Sequence, residues 1–276
     1  TFIDLYRTQD GVVKHKLLSK YDNKPILEHP IDPKRKDKDG VIQVWEFPPP
    51  NRQTYGVYWA GIDIVASSVS NTSPSLNSIH IYKGSHNLSD EYTEDRIVAK
   101  FMSRTSDKMD FYKKAMLLLE WYNAEALIEN NITWFIEEAI KSKEQFRLAR
   151  NPQWARDITP QGISHINRPY GVLSGVKLID KMIEAISSYI KEPTYVTYDE
   201  NTGEPTQHYG VERIRDLQLL RELINYRPKK EYEKGNYDAV FSFGLALLHA
   251  KNSEVLGIIP EDTKENVNFN QKSAKL

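Results

Sequence analysis

The hydrophobic period of this chain changes near Asp107, and that change limits what it can fold into. Before it, β-forming segments at residues 41–47, 55–66, 78–83 and 96–103 read as strands. After it, Met109, Tyr112, Met116 and Leu119 recur at helical spacing, with Asp107 placed as an N-cap. Residues 125–129 return to strand character. Ile132, Phe135, Ile136, Ala139 and Ile140 then mark a second amphipathic helix, capped by Asn131. Consecutive strands predict an antiparallel meander, and the strand, helix, strand, helix order predicts a parallel crossover. Together they predict an α/β fold with a mixed central sheet flanked by helices.

The rest of the chain extends this pattern. Val176, Ile179, Ile183, Ile186 and Ile190 outline a helix, and residues 193–210 a hairpin turning at Asn201-Thr202-Gly203. Ile214, Leu217, Leu220 and Ile224 outline another helix. Residues 237–250 are apolar nearly all round, which predicts a buried helix. Residues 1–40 are polar and end in the charge run Lys34–Gly40, so they read as a linker or the end of a preceding domain. The folded domain is expected over 41–252, with a polar tail over 253–276. No apolar stretch reaches the roughly 20 residues that a membrane-spanning helix needs.

Composition narrows the chemistry. The 276 residues include no cysteine, which excludes disulfides, thiolate zinc sites and thiol nucleophiles. No phosphate-binding glycine loop, no His-Glu-x-x-His and no Gly-x-Ser-x-Gly elbow is present, and the seven histidines are scattered. With 37 basic against 38 acidic residues, the chain is not a strongly basic nucleic-acid binder. An acidic centre with a basic rim would give the same balance.

Carboxylates in unusual positions remain. Asp63 lies inside an apolar strand, on the face it shares with Val57, Trp59 and Val65, where an ionised carboxylate needs a partner or a metal. Glu129 closes the strand Ala126-Leu127-Ile128, at the edge where open α/β sheets bind ligands. Glu125, on the same strand face, is its rival at the other end. Asp238 opens the apolar helix. Each has an ordinary reading: a salt bridge, a solvated strand end, a helix cap. Taken together they fit a site for hard divalent cations, which prefer oxygen ligands.

The segments Tyr58-Trp59-Ala60-Gly61-Ile62-Asp63, Tyr122-Asn123-Ala124, Ile128-Glu129-Asn130-Asn131 and Gly235-Asn236-Tyr237-Asp238-Ala239-Val240 follow one another in a telling order. With Trp45-Glu46-Phe47-Pro48 ahead of them, they resemble the nuclease domain of the large terminase subunit of tailed bacteriophages, over roughly residues 41–250. The resemblance implies a ribonuclease H-like sheet and an endonuclease that cuts concatemeric double-stranded DNA with two divalent ions, Mg2+ or Mn2+. It implies that Asp63, Glu129 and Asp238 are the catalytic metal-binding triad. It also implies an ATPase motor domain ahead of the nuclease, portal and small terminase subunits as partners, and action in the host cytoplasm. A start at Thr1 agrees with a segment that follows such a motor. Many members carry a doubly acidic third motif where this chain has Asn236 and Tyr237, so a fourth carboxylate stays open. Lys177 is the favoured auxiliary contact to DNA, with Arg168 and Lys181 beside it; Arg147, Arg150 and Arg156 are further basic candidates. A junction resolvase or transposase-like nuclease of the same fold, and a non-catalytic docking module, are the competing readings.

Overall fold

A computed structural model describes residues 1–26, 40–50, 56–65, 75–84, 86–88, 91–93, 95–105, 107–158, 169–227 and 237–255. The expected α/β class, a mixed sheet flanked by helices with an added hairpin, is what the chain adopts. Strands β1 (Phe2–Arg7), β2 (Val13–Leu17), β3 (Ile42–Val44), β4 (Tyr58–Asp63), β5 (Asn77–Lys83), β8 (Arg96–Ser103) and β9 (Glu125–Ile128) form one sheet, in the order β2-β1-β3-β8-β5-β4-β9. Short strands β6 (His86–Leu88) and β7 (Glu91–Thr93) pair as a separate two-stranded sheet. Strands β10 (Pro193–Tyr198) and β11 (Pro205–Tyr209) make the separate hairpin.

Within the sheet, the pairs are antiparallel except β4 with β9, which run parallel with Ile62 opposite Ile128. Helix α1 (Lys108–Tyr122) links β8 to β9 and so carries the chain past β5 and β4. Asp107 caps it as expected, accepting from the Met109 N–H at 2.9 Å. Its C-terminus turns on Asn123 in the left-handed conformation. The phenyl rings of Phe101, Phe111 and Phe135 join the core that α1 and α2 (Trp134–Lys141) build on one face.

Helices α4 (Val176–Lys191), α5 (Leu217–Asn225) and α6 (Asp238–Val255) belong to the core on the other face, where Trp59, Tyr189, Leu219 and Phe243 pack together. A short helix α3 (Gln153–Ile158) contributes Ala155 beside α4 and α6. Helix α6 is enclosed as its composition predicted: Ala239, Val240, Phe243, Leu245 and Ala246 have no exposed surface. Removing a ring such as that of Phe243 from this layer costs about 3–5 kcal/mol.

Two expectations are corrected. The opening segment is no linker over its first half, because β1 and β2 extend the sheet, with Ile3 and Leu5 buried. Asn131 does not cap α2. Thr133 holds that position, and the Asn131 amide is drawn to Glu129 and Ser174 instead. The charge run over 34–39, the motif residues Gly235 and Asn236, Arg168 and residues 256–276 of the tail lie outside the described residues.

Candidate functional site

The site begins at the C-terminal end of β4. The parallel register sets Glu129 next to Asp63, and the Glu129 N–H donates to the Ile62 carbonyl at 3.0 Å. On its other side Asp63 faces Ser78 of β5. The same sheet end receives the first turn of α6. There Asp238 Oδ2 accepts from the Leu76 N–H at 2.6 Å, one residue before β5 begins. The three carboxylates nominated from the sequence therefore come from β4, the end of β9 and α6 and meet at one end of the sheet.

Two glycines make this approach possible. At Gly61 a Cβ would lie 2.0 Å from the Ser242 carbonyl and 2.4 Å from the Ala246 N–H. Helix α6 thus rests backbone to backbone on β4, two residues before Asp63. At Gly171 the backbone has φ +72° and a Cβ would lie 2.4 Å from the Ile128 carbonyl. That contact clamps residues 170–172 beside β9, with Val172 bridged to Glu129 and the Asn130 amide donating to the Tyr170 carbonyl at 2.8 Å.

Electrostatics set this cluster apart. Asp63 is 8% exposed and Asp238 6%. Burial pushes the Asp63 carboxyl well above its ordinary range. The charges of Glu129 and Asp238, a hydrogen bond to Glu129 and the more distant Glu222 push in the same direction. No ion pair reaches Asp63 or Glu129 from the described residues. A protonated Asp63 donating to Glu129 relieves part of this repulsion. Among the described residues, no three Asp, Glu or His side chains converge closely enough to enclose a cation as they stand. Their chemistry nonetheless fits a hard divalent ion: oxygen donors, like charges, and no cation on Asp63 or Glu129 within the described residues.

Sequence reasoning missed Glu222. It lies on α5, and burial followed by the Asp238 charge pushes its carboxyl up to about 8, against the opposing pull of nearby backbone N–H groups and Lys100. It also missed a second buried cluster on the same side of the sheet. The Lys100 ammonium sits 2.7 Å from Asp216 Oδ1, His80 Nε2 is 3.1 Å from Asp216 Oδ2, and His80 Nδ1 is 2.7 Å from Ser242 Oγ. Ser242 also meets Ser78 Oγ at 2.7 Å, so the cluster ties α6 to β5 one helical turn past Asp238. Burial would raise the Asp216 carboxyl, but Lys100 and then His80 hold it far below the carboxylate range. A Ser, His and Asp in contact suggest a nucleophile, yet His80 and Ser242 have no exposed surface, and the cluster is structural.

The remaining candidates separate by position. Glu125 lies at the other end of β9, 3.7 Å from His249; burial lowers that imidazole to about 4, so it is neutral at pH 7 and no ion pair forms. Lys177 is exposed at the start of α4, three residues past Ser174, whose N–H donates to Asn131 at 3.0 Å. That chain path puts it near the rim of the Glu129 end. Lys181 is half-buried over the Trp154 ring at 5.8 Å. Arg147 is held by Glu120 at 3.6 Å and is not a free phosphate contact.

No protein-family model matches the chain, and no curated protein matches it.

Proposed function

We propose that this chain is a divalent-metal-dependent endonuclease domain acting on double-stranded DNA, of the kind found in the large subunit of a viral packaging terminase. The observation that carries the reading is the meeting of Asp63, Glu129 and Asp238 at one sheet end, with Asp63 buried among like charges. Mg2+ or Mn2+ would neutralise that repulsion, held by these three carboxylates. The chemistry that two such ions supply when bound is activation of a water and stabilisation of the leaving 3′ oxygen.

The protein's own residues supply placement. Asp63, on β4 beside the end of β9, feels the charges of both Glu129 and Asp238, which suits it to a shared ligand. Asn131 orients Glu129 by donating to its Oε1 at 2.8 Å. The Leu76 N–H fixes the Asp238 carboxylate. Lys177 and Lys181 would approach phosphates on the rim. Such contacts position DNA without reading its bases. The rest of the reading follows the family likeness: an ATPase motor domain in the full-length chain, portal and small terminase subunits as partners, and work in the host cytoplasm.

The test is plasmid cleavage with Mn2+ by the wild type and by Asp63→Asn, Glu129→Gln and Asp238→Asn. Cleavage by the wild type and a loss of about 10²-fold or more in each variant are expected. An inactive wild type, or three fully active variants, contradicts the proposal. Comparing linear duplex with a four-way junction separates the terminase reading from the resolvase one. A docking module would hold Asp63 in an ion pair, and none is present among the described residues.

A further inference from the structure

We infer that Glu222 is a positioning residue that holds the first turn of α6, and with it Asp238, ready for a cation. The inference rests on the carboxylate reading above and adds a role from an element that reading does not use.

The first N–H groups of a helix have no partner within the helix and are normally met by a side chain just before it. Here the residue before α6 is Tyr237, whose carbonyl accepts the first intrahelical bond, from the Phe241 N–H at 2.9 Å. Its phenol cannot fold back as a cap. It donates instead to the Asn225 carbonyl at the end of α5, at 3.1 Å. The cap comes from α5 as well. Glu222 Oε2 accepts from the Ala239 N–H at 2.9 Å and the Val240 N–H at 3.2 Å. Asp238 therefore sits between a residue tied to the end of α5 and two amides tied to Glu222.

Glu222 is itself held in place. Gln218 Nε2 donates to its Oε1 at 3.2 Å, and Gln218 Oε1 accepts from Lys100 at 3.3 Å. Leu219 anchors the same helix in the core with no exposed surface. Both Glu222 oxygens thus carry donors. Oε2 already accepts two backbone hydrogen bonds and Oε1 one from Gln218, so the contacts that Glu222 makes are those of a support for the helix turn.

The test compares the wild type with E222Q and E222A by amide hydrogen exchange without metal and by Mn2+ titration calorimetry. The glutamine keeps an acceptor oxygen without the charge, and alanine keeps neither. E222A is expected to speed exchange at Ala239 and Val240 about tenfold while β5 amides hold, which shows that the fold survives. It is expected to weaken Mn2+ binding about tenfold or more, with E222Q staying close to the wild type on both measures. Equal loss of Mn2+ in E222Q and E222A would mean that Glu222 acts through its charge, and would overturn the positioning role. So would unchanged exchange and affinity in E222A. If the wild type binds no Mn2+, the metal reading itself fails and takes this inference with it. The exchange result in E222A then still reports whether the cap exists.

Discussion

Two buried polar clusters lie a helical turn apart along α6, and they handle charge in opposite ways. Around Asp216 the carboxylate is matched: the Lys100 ammonium pairs with it, the His80 imidazole hydrogen-bonds to it, and its proton affinity drops. Around Asp63, like charges meet and its proton affinity rises. The first cluster is complete as the chain folds. The second is out of balance until a proton or a cation joins it. Like charges gathered in a buried place cost stability, and no ion pair from the described residues reaches Asp63 or Glu129 to offset that cost. That imbalance is why the proposed site is placed at the Asp63 end and not at the Asp216 end.

The strongest way to break this contrast is to remove one partner from the balanced cluster. Lys100→Met leaves the Asp216 charge buried and should cost about 3–5 kcal/mol in urea unfolding. Removing a charge from the unbalanced cluster should do the reverse. Asp63→Asn should stabilise the metal-free protein by about 1 kcal/mol at alkaline pH and by less at acid pH, because burial and the neighbouring carboxylates raise the proton affinity of Asp63. Destabilisation by Asp63→Asn at alkaline and acid pH alike would mean that its carboxylate is structural.

Gly61→Ala should cost about 1–3 kcal/mol or more, because its methyl meets backbone atoms of α6 that cannot swing aside. It should also lift Asp238 off the sheet end and reduce Mn2+ binding, which calorimetry would detect.

The two clusters should also give opposite pH slopes without metal. Glu222 has a folded-state pKa of about 8 against an ordinary value of 4.5, so the folded state holds the extra proton between these values. Stability should therefore fall as pH rises through that window, by at most about 1.4 kcal/mol per pH unit. E222Q should flatten that slope. His80 is held neutral by burial, with its pKa below the ordinary 6.5. Its contribution should be complete above pH 6.5 and be lost as pH falls below it. Saturating Mn2+ should abolish the alkaline slope and leave the acid one.

The smallest effects belong to the rim. Lys177→Ala and Lys181→Ala should each weaken DNA binding a few-fold and lower the salt slope by about one unit, whereas Arg147→Ala should leave it unchanged.

What could be read in advance depended on how local each signal was. Asp63 was legible because a carboxylate inside an apolar strand contradicts its neighbours, and Glu129 because it ends a strand just before a helix. Asp238 stood out against the apolar helix it opens. Glu222 carried no such contrast. It follows Arg221 on an amphipathic helix and reads as a solvated side chain, and its link to Ala239 and Val240 exists only in three dimensions. The pairing of Lys100 with Asp216 spans 116 residues, and no periodicity reports it. The β1–β2 hairpin escaped notice because β2 is an edge strand that exposes Lys14, His15, Lys16 and Leu17, leaving no alternation to read.

The central claim is that the Asp63 end takes up divalent cations, and thermal unfolding across a Mn2+ titration tests it most directly. The account predicts a saturable rise in Tm of several degrees for the wild type and none for Asp63→Asn. A wild-type Tm that does not move at millimolar Mn2+, or an equal rise in both proteins, would contradict it.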